Sequence, residues 1–183
     1  MTYIYRFRIH LAVLVFLTAH SVSAEDRECL AYANASASIC GVNPSATVSP
    51  PVAGGIAEIS TQLATQYQLS ATLFQNHFSE CFQAASSCIS VCQNEAEFEN
   101  NQANVFQEKA DLAYRSGDQA VANQLMDRQM EHVTNAANAN RASSDCKVRD
   151  MERASLFQAQ ANAFSSGAAQ ANYNRSISSV GGN

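Results

Sequence analysis

Ser116-Gly117-Asp118 separates two long stretches almost free of helix breakers: Ile56 to Ser116 has neither Gly nor Pro, and Gln119 to Ser166 has none before Gly167. A glycine able to end a helix in the left-handed region, followed at once by an N-capping aspartate, is the punctuation between two helices. In the first stretch apolar or small residues recur at Ile56, Ile59, Leu63, Tyr67, Phe74, Phe78, Cys81, Ala85, Cys88, Cys92, Ala96, Phe106 and Ala113. Spacings of three and four are those of a helix stripe, and no run alternates as a strand would. Two arms joined by a tight turn at 116–118 make an antiparallel helical hairpin over 56–178, in which facing residues have numbers adding to about 234.

That register predicts contacts. Phe78 faces Leu156, Phe82 lies near Met151, Leu69 near Phe164, Leu112 near Val121 and Ile56 near Ile177. Opposite charges meet within two positions of it: Glu58 with Arg175, Glu80 with Arg153, Glu95 with Arg141, Glu108 with Arg128. Exposed pairs of this kind contribute well under about 1 kcal/mol each, so they speak to register and not to stability. The weakest stretch is Gln93 to Ala103, where Glu95, Glu97, Glu99, Asn100 and Asn101 crowd together and can break the first arm. As a group the three glutamates read either as a solvated face or as a site for a cation or basic partner.

Outward from the hairpin, residues 41–55 carry Pro44, Pro50, Pro51, Gly54 and Gly55 and form an extended linker, preceded by a short helix at 25–40. Arg6 and Arg8, the apolar run Leu11 to Leu17 and the small-residue end Val22-Ser23-Ala24 read as a secretory signal peptide, 1–24, cleaved after Ala24. The run is about half the roughly 20 residues a membrane-spanning helix needs, so no integral membrane segment is expected after cleavage. Residues 179–183 read as a tail. The expected location is secreted or periplasmic.

Six cysteines in an exported chain favour disulfides over free thiols. Cys88 and Cys146 add to 234 and lie directly across the hairpin, whereas Cys92 is offset by four residues, about 6 Å. A disulfide needs Cα atoms within about 7 Å, so Cys88 pairs with Cys146. The other four repeat one spacing: Cys29 to Cys40 and Cys81 to Cys92 are each 11 apart, which places both members of each pair on one helix face. Linker reach sets the direction. If Cys40 meets Cys81, the linker must cover about 37 Å to Ile56, an easy span; if Cys40 meets Cys92 it must cover about 54 Å, near full extension. The pairs are therefore Cys40 with Cys81 and Cys29 with Cys92, which requires a local three-helix bundle between about residues 80 and 93. The fold class is all-α, a long antiparallel helical hairpin with a short N-terminal helix stapled to it. Twin cysteines at matched spacing resemble, as an analogy of construction, those of coiled-coil-helix-coiled-coil-helix proteins, with ten intervening residues here in place of nine and a far longer loop.

Composition and motifs narrow the function. The chain has 183 residues, 11 basic against 16 acidic, and a net charge of -5; without Arg6 and Arg8 it is -7, so nucleic acid is a poor partner. The arms differ: residues 25–108 hold nine acids and one base, residues 109–183 seven acids and eight bases. No GxSxG, HExxH, CxxC, P-loop or GxGxxG occurs. His77 and His132 stand about 37 Å apart in the hairpin register and cannot form one catalytic site. His77, Cys81, Cys88 and Cys92 share a stripe and could offer metal ligands, yet the two pairs lie about 16 Å apart, too far for one four-ligand ion within a chain. Phe74, Phe78 and Phe82 could line an apolar cavity, although such a stripe is usually core. Catalytic, cofactor-binding and metal residues are therefore expected to be none, with no cofactor. The expectation is an exported, non-enzymatic structural or interaction protein that meets a protein partner or itself through its helical faces, an accessory of the envelope or of a secretion or conjugation apparatus. Its Ala-, Asn-, Gln- and Ser-rich composition resembles that of helical subunits of such machinery. The alternative is a binding module for a small apolar ligand or metal.

Overall fold

A computed structural model of the chain describes residues 28–180. The signal peptide read at 1–24, the start of the N-terminal helix at 25–27 and the last three residues lie outside the described residues. The elements are α1 (Glu28–Gly41), α2 (Ile56–Arg115), α3 (Gln119–Asp145), a π-helical turn (Cys146–Met151) and α4 (Glu152–Val180). No strand occurs among the described residues.

Helix α2 runs unbroken for 60 residues, about 90 Å. The polar stretch from Gln93 to Ala103 does not interrupt it. At its end the Gly117 amide donates to the Tyr114 carbonyl and the Asp118 amide to the Ala113 carbonyl, both at 3.0 Å, with Gly117 at φ 82°. This is a Schellman closure, and the left-handed position is one that glycine takes without Cβ strain. Asp118 then caps α3 by accepting a bond from the Val121 amide at 3.2 Å. The π-helical turn and α4 continue α3 and complete the second arm, which reaches Val180, two residues beyond the expected end of the hairpin.

The seam between the arms is built from small residues. On α2 the buried positions include Ala64, Ala71, Phe74, Cys81, Ala85, Cys88, Cys92, Ala96, Ala103 and Ala110; on the second arm they include Ala122, Ala136, Ala139, Cys146, Ala154, Phe157, Ala161, Ala168 and Ala171. The α2 stripe read from the sequence is therefore the seam over most of its length, while Ile56 lies outside it. Steps of three and four alternate along α2 except at Cys88, Cys92 and Ala96, where two fours follow each other. The second arm has the same irregularity at Cys146, Asp150 and Ala154, within and just after the π-helical turn. Two consecutive fours are a stutter, which locally unwinds a supercoil; the wider π turn accommodates it on the second arm.

Residue-by-residue facing differs from expectation. Leu69, Leu112, Leu156, Ile56, Ile177 and Phe82 are all exposed, Leu156 at 62% and Leu112 at 65%. A register fixes height along the hairpin but not rotation of each helix about its axis. Close approach of the backbones selects Ala and Ser for the seam and turns the larger side chains outward. Aromatic packing survives near the open end, where Phe74 sits against Phe157 and Phe164 and Tyr67 against Phe164. Gly167 belongs to this packing: a Cβ there would stand 3.1 Å from the Tyr67 ring.

Candidate functional site

The six cysteines form three disulfides: Cys29–Cys92, Cys40–Cys81 and Cys88–Cys146, with Cα separations of 4.7, 4.9 and 6.3 Å. The first two hold α1 along α2, and the third crosses the hairpin. Cys29, Cys88, Cys92 and Cys146 pack with Ala96 and Ala139 into one buried cluster; Cys40 and Cys81 join Phe74, Ala154, Phe157 and Ala161 in another. The N-terminal end of α1 is fixed further by Glu95, whose Oε2 accepts from the Cys29 amide at 3.0 Å. A carboxylate at a helix N-terminus complements both the free amides and the dipole.

Between the two staples lies a buried polar group. Asp150 is 1% exposed. Its Oδ2 accepts from the Ser36 hydroxyl of α1, and Arg149 donates to both carboxylate oxygens, from Nε at 2.7 Å and Nη2 at 3.0 Å. Burial pushes the Asp150 carboxyl up, but the hydrogen bonds from Arg149 and Ser36 and the charges of Arg149 and Arg153 outweigh it, so the net direction is down. The same hydrogen bond raises Arg149. The Ser36 hydroxyl, donating to this ionised carboxylate, ties α1 to the second arm.

The second polar contact lies in the tip. Glu99, 3% exposed, bonds through Oε2 to His132 Nδ1 at 2.6 Å, and the His132 ring stacks on Phe106 with centroids 5.1 Å apart. Lys109 Nζ lies 5.4 Å from the centre of the same Phe106 ring. The acidic trio is thus divided: Glu95 anchors α1, Glu99 bonds the opposite arm, and Glu97 is exposed. The solvated-face reading fails for two of the three, and so does a shared cation site. Glu99 was detectable in the sequence, because the seam steps from Ala96 to Ala103 pass through it.

His77 lies well down α2 from His132's partners, about 33 Å below Glu99. Its Nε2 donates to the Val42 carbonyl at 2.7 Å and its ring meets Phe157 edge-on at 4.5 Å, so it ties the start of the linker to the hairpin. Cys81, Cys88 and Cys92 have their sulfurs in disulfides, which leaves His77 no thiolate neighbour on the stripe. Among the described residues no three His, Cys, Asp or Glu side chains are placed to hold a metal ion. Along the aromatic stripe Phe74 is packed, the Phe78 and Phe82 rings meet at a tilt with centroids 5.7 Å apart, and Phe82 is exposed. A shallow groove of about 380 Å³ lies beside it, between Asn43 of the linker and Arg153, Leu156, Phe157 and Gln160 of α4.

The larger feature is the outer surface. Leu69, Leu73 and Phe82 on the lower part of α2, Phe98, Val105 and Leu112 on its upper part, Met126, Met130 and Val133 on α3, and Leu156, Tyr173 and Ile177 on α4 are all exposed. No helix among the described residues is long and apolar enough to cross a membrane. No family model matches the chain, and comparison with curated proteins and with solved structures gives no match either.

Proposed function

We propose that this is an exported, non-enzymatic structural or interaction protein that works through its outer helical faces, as an accessory of the envelope or of a secretion or conjugation apparatus. One observation carries the reading: small residues fill the seam while large apolar side chains line the outside of a disulfide-stapled rod. Contiguous exposed apolar surface on a soluble chain marks interaction sites, and a rod stapled by three disulfides presents such surface at little ordering cost. Three disulfides suit an oxidising compartment and agree with the signal-peptide reading. The test is photo-crosslinking in the exporting cell. A crosslinking residue at Leu69, Leu112 or Leu156 is expected to give a higher-mass adduct outside the cytoplasm, from a chain whose N-terminus is Glu25, while one at exposed Asn138 is expected to give none. Absence of adducts from every apolar position would overturn the reading.

A further inference from the structure

The hairpin tip, from Ala96 and Ala139 to the turn, extends beyond α1 and consists of two helices alone. Its two flanks can be told apart by contacts between the arms. On one flank Gln129 Nε2 donates to Gln107 Oε1 at 3.4 Å; on the other the His132 ring stacks on Phe106, under Lys109. Met126 and Val133 lie three before and four after Gln129, Met130 lies beside it, and Tyr114 lies two turns beyond Gln107, so these four exposed side chains share the first flank. Phe98, Val105 and Leu112 repeat every seven residues on the Phe106 side and make a stripe about 21 Å long on the second. By the hairpin register Met126 to Val133 stands level with residues 101–108, within the height of that stripe.

The two flanks differ in charge. The methionine flank is bordered on α2 by exposed Glu97 and Asp111. The Phe98 flank is bordered by Lys109 and Arg128, the latter paired with Glu131 at 2.8 Å. Two methionine flanks brought together would set acid against acid, and two Phe98 flanks Lys109 against Lys109; unlike flanks match in height and apolar character and are opposite in charge.

We propose that the partner of the tip is a second copy of this chain, docked with its methionine flank on the Phe98, Val105 and Leu112 flank of the first. This rests on the reading of the chain as an interaction protein and names the partner of one of its faces. The contact joins unlike surfaces and leaves each copy with one free flank, so it continues into a row or ring of tips and does not stop at a two-fold dimer. Methionines suit such a face because their flexible thioethers adapt to a neighbour's ridges.

Sedimentation velocity of the oxidised chain starting at Glu25 tests it. The wild type is expected to show a concentration-dependent series beyond the dimer. Val105→Glu blocks one flank and Met130→Lys the other, and each alone is expected to stay monomeric where the wild type assembles. Mixed, they are expected to give a capped one-to-one pair, because each retains the flank the other lacks. A wild type that is monomeric into the millimolar range, a closed dimer, or assembly that survives both substitutions would overturn the proposal. Helicity by circular dichroism and an intact disulfide map admit each variant; Leu112→Glu and Met126→Lys stand in for one that fails. A monomeric chain that still crosslinks through Leu69 or Leu156 would overturn self-association alone, whereas loss of every adduct would overturn the broader reading.

Discussion

Between Cys81 and Cys92 the hairpin carries a third helix, three disulfides and a buried carboxylate; from Ala96 and Ala139 to the turn the same two arms continue with an alanine seam and the Glu99–His132 bond. Both regions are helices packed through small residues, and in secondary structure only the π-helical turn at Cys146–Met151 marks the centre. What differs is how much holds the arms together once a seam methyl, contributing about 0.8 kcal/mol, is the unit of burial. The centre is fixed covalently and the tip by shallow packing. Stability and surface are therefore divided along one rod, with the least reinforced part presenting two exposed apolar flanks.

The sharpest way to break this difference is to remove the link across the hairpin. Replacing Cys88 and Cys146 together by Ser is expected to destabilise the chain by about 2 to 5 kcal/mol in urea denaturation, the range for a native disulfide. If the centre then unfolds no more readily than before, the disulfide does not set its stability.

The buried carboxylate comes next. Asp150→Asn leaves Ser36 and Arg149 without their charged acceptor and is expected to cost about 2 kcal/mol, since hydrogen bonds to a charged group exceed neutral ones. Arg149 is half exposed and can turn to water, which keeps the cost below that of a fully buried pair. The pH dependence has a definite sign. Asp150 titrates lower in the folded chain than its unfolded value of about 3.9. Its contribution is complete above that value and is lost as pH falls through the lower folded one. Wild-type stability should thus drop more steeply than that of Asp150→Asn below about pH 4, the two curves converging at the acid end. Parallel curves would mean that Asp150 does not carry the charge effect.

The helical class, the turn at Ser116-Gly117-Asp118 and the stapled third helix were all legible, because each rests on backbone chemistry or on distances along a helix. Pairing Cys88 with Cys146 needed only height, which a register supplies. Rotation was legible on α2, where the stripe through Phe74, Cys81, Ala85 and Cys88 is the seam and Phe78 is half-buried against it, but it failed for Leu69 and Leu156, which point outward because the near approach of two backbones favours Ala71 and Ala154 at the seam. The contact of Ser36 with the adjacent Arg149 and Asp150 had no local signal, since Ser36 and Asp150 stand 114 residues apart in sequence. The π-helical turn leaves no compositional mark either; only the seam steps at Cys146, Asp150 and Ala154 record it.

A smaller effect tests the alanine seam of the tip. Ala103→Leu places a large side chain where Ala103 is buried between the arms, and overpacking of this kind is expected to cost about 1 to 2 kcal/mol at an end free to splay. A stabilised variant would mean that the seam has room, contrary to its burial.

Smallest of all should be the reciprocal change on the outside. Leu112 is a far larger side chain than Ala103, and by size alone its truncation would be the more damaging. Yet it is 65% exposed, so folding removes little of it from water, and the part still covered is matched by the favourable helix propensity of alanine. Leu112→Ala is therefore expected to change stability by less than about 0.5 kcal/mol at concentrations where the chain is monomeric, the usual range for a surface position. The two variants together form an inverted pair, since adding bulk at Ala103 harms the fold while removing bulk at Leu112 does not. A loss above about 1 kcal/mol at Leu112, as expected for a leucine of an ordinary core, would mean that this face packs within the chain, and the inside-out division between centre and tip would fall with it.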